Sequence, residues 1–176
     1  MSFGDVPAYT PVGKRRWRES CGLWYENFTV GEIVEHRPGR TITEADNVWG
    51  SLLAHNDHPL HVDCAYAGRT EWGRPLVSSL VTLSIVAGLS VQSTSARAIA
   101  NLGWDEVRLV APVFVGDTVY AESEVLDKRL SASREHQGIV IVATRGVKAD
   151  GTLFLTCRRS FLVPTRDHPL AADPVY

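Results

Sequence analysis

The chain predicts an α+β domain in which an antiparallel sheet wraps one long buried helix, and three features carry that expectation. Residues 78–93 are apolar on almost every side, through Leu80, Val81, Leu83, Ile85, Val86, Ala87 and Leu89, the pattern of a helix that other elements enclose. Beyond Ala98 the texture changes to runs rich in β-branched residues with partial alternation, at 107–109, 118–125, 139–147 and 153–163. Asp150-Gly151, two residues wide between two of those runs, is the strongest hairpin signal in the chain. A strand, a helix, a buried helix and then a run of antiparallel strands is the α+β arrangement.

In chain order, residues 1–27 read as an irregular arm broken by Pro7, Pro11, Gly13 and Gly22, with Trp17, Trp24 and Tyr25 packing it on the body. Residues 28–166 form the main domain and 167–176 a tail. Val30-Gly31-Glu32 turns into a first strand over 33–42, despite Pro38-Gly39 in its middle. Thr43 and Asp46 mark a helix start, a hydroxyl N-cap with acidic residues in the first turn. That helix runs through Trp49, Leu52 and Leu53 and stops before Pro59, whose ring pushes His58 out of helical geometry. A short helix over 62–68, a loop around Trp72-Gly73-Arg74-Pro75 and the apolar helix follow. Turns between the later strands are expected at Pro112, Gly116-Asp117, Gln137-Gly138 and Asp150-Gly151.

The length of 176 residues suits one domain with a real hydrophobic core. A formal net charge of −2 gives no reason to expect nucleic acid or a membrane surface as a partner. The basic cluster Lys14-Arg15-Arg16-Trp17-Arg18 reads as a solvated part of the arm. The most apolar stretch, 76–91, is interrupted by Ser78, Ser79, Thr82, Ser84, Gly88 and Ser90 and is too short for a membrane span. Met1-Ser2-Phe3-Gly4-Asp5 shows no charged segment ahead of an apolar run, so no secretory leader is expected. Cys21, Cys64 and Cys157, odd in number and without close metal spacing, read as reduced thiols of a cytoplasmic protein.

The densest chemistry lies in Ala54-His55-Asn56-Asp57-His58-Pro59-Leu60-His61-Val62-Asp63, where three of the six histidines fall within seven residues. Three readings compete. His and Asp are metal ligands, but Pro59 interrupts the helix that would align His55, His58 and His61, so no metal is expected. The polar side chains can simply cap helix ends and bond backbone. Or a histidine titrating near neutrality acts as general acid and base beside a hydrogen-bonding partner. Composition leaves the last two open.

The run from Asn56 to Asp63 resembles the hydratase motif of the MaoC-like family, the (R)-specific enoyl-CoA hydratases and their relatives. There it reads Asp-x-Asn-Pro-Leu-His-x-Asp, followed by small and aromatic residues as in Ala65-Tyr66-Ala67. The likeness continues through Gly73-Arg74-Pro75-Leu76-Val77 and Pro112-Val113-Phe114-Val115-Gly116-Asp117-Thr118-Val119, covering roughly 28–163 in order. The resemblance implies a hotdog fold, an acyl-CoA substrate with no further cofactor, and a homodimer or dimer of dimers joined through sheet edges. On the Pro-Leu-His register Asn56 takes the place of the family's catalytic aspartate and His61 that of its catalytic histidine. His58 replaces the usual asparagine, and Ser78-Ser79 replaces a common His-Gly pair. This combination, with Glu26-Asn27-Phe28 and the segment His36-Arg37-Pro38-Gly39-Arg40-Thr41, is most similar to the mesaconyl-CoA hydratase (methylmalyl-CoA dehydratase) branch.

Adding water across a 2-enoyl thioester needs a base for the water, an acid for the α-carbon and donors for the enolate oxygen. His61 suits the base. Asn56 cannot exchange a proton at neutral pH, although its amide can hold the water. The second proton then falls to His61 again, or to Asp57 or His58. The enolate oxygen is expected at the start of the apolar helix, near Ser78 and Ser79, where backbone N–H groups and the helix dipole favour negative charge; an N-cap alone would also explain Ser78. Arg69, Arg74 and Arg108 are candidates for CoA phosphates or a substrate carboxylate, each equally suited to a surface ion pair. A hotdog thioesterase and a non-catalytic acyl-thioester-binding subunit are the alternatives.

Overall fold

In the computed structural model, which describes residues 3–172, the sheet alternation seen in the sequence becomes one five-stranded antiparallel sheet. Its strands are β3 (Ile33–Thr41), β4 (Ala100–Leu109), β5 (Thr118–Leu130), β6 (Gln137–Lys148) and β7 (Leu153–Pro164), in the order β3-β5-β6-β7-β4. β5 buries every second residue at Val119, Ala121, Ser123 and Val125, the two-residue period of a strand with one face on the core. The helix α4 (Ser79–Ser90) packs on that face against β3, β5 and β6.

Two apolar clusters share the face. Ile42, Val81, Val86, Val119, Phe154 and Leu155 gather under α4, and Leu23, Phe28, Val125, Val140, Val142 and Phe161 gather under the N-terminal segment. Each fully buried side chain of this size contributes about 1.5–3 kcal/mol. Between the clusters runs a polar chain. His36, 1 % exposed, bonds Ser93 Oγ at 2.6 Å through Nδ1 and Ser123 Oγ at 2.8 Å through Nε2, and Ser123 continues to Thr144 at 2.8 Å. Burial, helped by the neighbouring Arg37 charge, pushes the imidazole down to about 4.

Several local expectations are corrected. The arm is not irregular: β1 (Tyr9–Gly13) and β2 (Arg16–Glu19) form a hairpin whose turn holds Lys14 and Arg15, the latter at φ 58°. Trp17 sits exposed on it rather than packed on the body, while Trp24 is stacked under Arg97. The helix expected over 62–68 is two single turns, α2 (Pro59–Val62) and α3 (Cys64–Ala67). Pro59, expected only to end a helix, starts one, since its fixed φ and missing N–H suit the first helical position. Gln137-Gly138 is not a turn but the start of β6, glycine being required because a Cβ at 138 would lie 2.1 Å from the Tyr25 ring. The Asp150-Gly151 connection is four residues, 149–152, closed by Thr152 N–H on Asp150 Oδ1.

The apolar helix departs from expectation on one side. α4 continues as a π-helical turn, Val91–Ser95, and Leu80, Ser84 and Gly88, spaced by one turn, are exposed along its length. The sheet of a single chain covers only the opposite side. No helix among the described residues is long and apolar enough to cross a membrane.

Candidate active site

The helix α1 (Glu44–Leu53) starts as expected, with Thr43 Oγ1 accepting from Asp46 N–H and Asp46 accepting from Thr43 N–H. It runs through Leu53 and stops before Pro59, as expected. Asn56 N–H bonds Ser51 O at 2.8 Å and His55 N–H bonds Leu52 O at 3.0 Å, the paired bonds of a Schellman stop. His55 holds the left-handed position of that stop, at φ 52°. The chain then reverses and delivers Asn56 to the start of α4, where Asn56 Nδ2 donates to Ser78 Oγ at 3.3 Å.

Three backbone segments lie side by side here. Leu76 N–H bonds Leu60 O at 3.1 Å, and Val77 N–H bonds Val113 O at 2.9 Å. The α2 turn carries His61 toward this junction, and its Nδ1 lies 2.9 Å from Leu76 O. A carbonyl can only accept, so Nδ1 carries a proton, and in the neutral ring the lone pair is on Nε2. His61 faces a cleft of about 340 Å³ whose walls include Trp72, Ser79, Thr82, Leu109 and Pro112. Ser79 is the first residue of α4, so its N–H has no acceptor within the helix. His61 and the helix-start residue Ser79 thus line one cleft.

Ser78 plays a different part from Ser79. Its hydroxyl makes no capping bond and instead accepts from Asn56. Its N–H is taken at 2.9 Å by Asn47 Oδ1, which leaves Ser79 as the helix-start donor. Asn47, 2 % exposed, is the residue that the sequence reading missed. The available signal was a polar side chain on the inward stripe of α1, one turn before the buried Ser51.

The supporting candidates separate. His58 N-caps α2, its Nδ1 accepting from Leu60 N–H at 3.1 Å, with its ring 5.9 Å from that of His61. Asp57 is exposed and has no bond to Asn56 or His61 among the described residues. Arg74 shares a second, smaller cleft with His61, Glu44 and Cys64, and its guanidinium stacks 4.0 Å from the Phe114 centroid. Arg69 and Arg108 are exposed and line neither cleft. A larger cleft of about 500 Å³ between α1 and α4 is lined by Arg40, Asp46, Leu53, Leu80, Ser84 and Gly88. Its two ionisable groups neutralise each other as an ion pair, so proton chemistry points to the His61 cleft despite the smaller volume. Among the described residues no group of three His, Cys, Asp or Glu side chains is gathered closely enough to hold a metal.

Comparison with known proteins bears on the family and the fold. The MaoC-like domain model matches residues 26–147. The chain is 31 % identical over 150 residues to a mesaconyl-CoA hydratase of Cereibacter sphaeroides, covering 85 % of this chain and 43 % of the relative. It is 33 % identical over 153 residues to a β-methylmalyl-CoA dehydratase of Chloroflexus aurantiacus, covering 87 % and 43 %. The chain therefore spans less than half the length of these curated relatives. Among solved structures, a monoamine oxidase regulatory protein from Archaeoglobus superposes with a TM-score of 0.72 at 32 % identity, over 82 % of this chain and 95 % of that one. A Mycobacterium tuberculosis protein described as a double hotdog fold superposes with a TM-score of 0.75 at 21 % identity, over 84 % of this chain and 45 % of that one. The fold is the hotdog fold.

Proposed function

The chain belongs to the MaoC-like family, and on that premise we propose that it is a hydro-lyase for the reversible hydration of a 2-enoyl thioester to its 3-hydroxyacyl form. Short branched or dicarboxylic acyl-CoAs are the proposed substrates, following the names of its relatives. The observation that carries the reading is the His61 ring, pinned through Nδ1 on Leu76 O with Nε2 free, in the cleft that also holds the Ser79 N–H.

In the hydration direction, His61 Nε2 takes a proton from water while the water oxygen bonds the β-carbon. The double-bond electrons move to the thioester oxygen, where the Ser79 N–H stabilises the enolate. Asn56, which donates one amide N–H to Ser78 at the start of α4, is the proposed holder of the water. The enolate then collapses, and its α-carbon takes the proton back from His61. One group serving both transfers is favoured over Asp57 and His58, which are exposed and line neither of the clefts that His61 lines. Arg74 is the candidate cation for a CoA phosphate or a distal carboxylate, being the arginine that shares a cleft with His61.

The assembly proposed is a homodimer or a dimer of dimers. Edge strand β4 exposes Leu102, Trp104, Val107 and Leu109, and an apolar unpaired edge invites another strand. The exposed thiols of Cys21 and Cys64 suit a reducing cytoplasm.

The test is turnover of a panel of mesaconyl-, crotonyl- and itaconyl-type CoA thioesters, followed by loss of the conjugated thioester absorbance. His61→Ala should lower kcat by about 10²–10⁴-fold. No turnover on any of them refutes the reading, and full activity in His61→Ala refutes the mechanism even if the reaction stands. Release of free thiol would identify a thioesterase, and binding without turnover a carrier subunit.

A further inference from the structure

We infer that Asn47 is a positioning residue for this chemistry, acting through His61 and through the N–H groups at the start of α4. The inference rests on the hydratase reading above for its consequence and on geometry alone for its mechanism.

One buried amide ties together three pieces of the site that are distant in sequence. Asn47 Nδ2 donates to His61 O at 2.8 Å and to Leu76 O at 3.3 Å, while Asn47 Oδ1 accepts from Ser78 N–H at 2.9 Å. The orientation of the amide is determined by these partners. A flipped amide would set its oxygen against two carbonyls and its NH₂ against an N–H. Leu76 O is also the acceptor for His61 Nδ1. Asn47 therefore holds His61 at both ends: by its own backbone carbonyl and by the carbonyl on which its ring leans. Fixing that carbonyl fixes the tautomer, and the tautomer decides which ring nitrogen offers a lone pair to the cleft.

The third bond selects the donor. With Ser78 N–H consumed by Asn47, the N–H presented to the cleft at the start of α4 is that of Ser79. The base and the oxyanion donor are thus placed relative to each other by a single side chain that is 2 % exposed.

Asn47→Asp separates this role from that of a simple cap. An aspartate keeps the oxygen for Ser78 N–H and suits the dipole at the start of α4, but it sets a second oxygen against His61 O and Leu76 O. The expected result is a folded variant whose kcat falls by about 10-fold or more with KM little changed. In the ligand-free protein, ¹⁵N-histidine NMR should show His61 as a single Nδ1–H tautomer in the wild type and as a mixture in the variant. Should Asn47→Asp fail to fold, Asn47→Ser takes its place, with room for a water and the same expected result. A variant that keeps wild-type kcat and a single His61 tautomer overturns the inference and leaves Asn47 as a cap. If the wild-type protein turns over no enoyl-CoA, the hydratase reading fails, while the tautomer measurement still decides whether Asn47 sets the state of His61.

Discussion

Lowering the pH from 6.5 toward 4 should destabilise this protein through His36. The imidazole is 1 % exposed, bonded on both nitrogens by serine hydroxyls, and held down to about 4 by burial and the Arg37 charge. An unfolded chain takes up that proton near 6.5, the ordinary value. Between those limits the unfolded state binds the extra proton and the folded state does not, so stability is full above 6.5 and falls as the pH drops toward 4. At about 1.4 kcal/mol for each tenfold difference in proton affinity, the gap from 6.5 to about 4 amounts to about 3 kcal/mol. The assay is urea unfolding followed by tryptophan fluorescence at a series of pH values from 7.5 to about 4. His36→Gln is the reference, since an amide can bridge Ser93 and Ser123 without titrating. The wild type should lose about 3 kcal/mol more than His36→Gln over that range. Parallel curves for the two proteins would refute the reasoning.

Two substitutions test local structure in the same unfolding assay. Gly138→Ala puts a methyl group 2.1 Å from the Tyr25 ring, displacing the segment that covers the Phe28 cluster, and should cost about 1–3 kcal/mol; an unchanged midpoint would show that the ring moves freely. His55→Gly removes a side chain from a left-handed position at φ 52° and should stabilise by roughly 0.5–1 kcal/mol. A loss of stability there would mean that the exposed imidazole makes a contact that the geometry does not account for.

Much of the fold and the core of the site could be read from residues close together in the chain, because the forces that mark them act over a few residues. Alternation in β5 and β6 follows from the two-residue period of a strand, and the Thr43/Asp46 box from hydrogen bonds reaching three residues. The Pro-Leu-His register singled out Asn56 and His61, and the apolar run after Val77 singled out Ser78 and Ser79 at a helix start, which is where α4 begins. Expectations failed where a neighbour distant in sequence decides. Gly138 looks like a turn until the Tyr25 ring is placed against it, and Pro59 looks like a stop until the loop before it turns the chain into a new helical turn.

What tertiary structure alone decided is how the site is wired. Ser78 and Ser79 are indistinguishable in sequence, yet one is bonded through its N–H and hydroxyl to two asparagines while the other opens the helix with a free N–H. The state of His61 depends on the Leu76 carbonyl, 15 residues away, and the placement of both depends on Asn47, which bonds across 14, 29 and 31 residues. Backbone carbonyls and amides carry no residue identity, so their use by a side chain is decided only when folding brings them within hydrogen-bond reach and burial excludes water as a substitute.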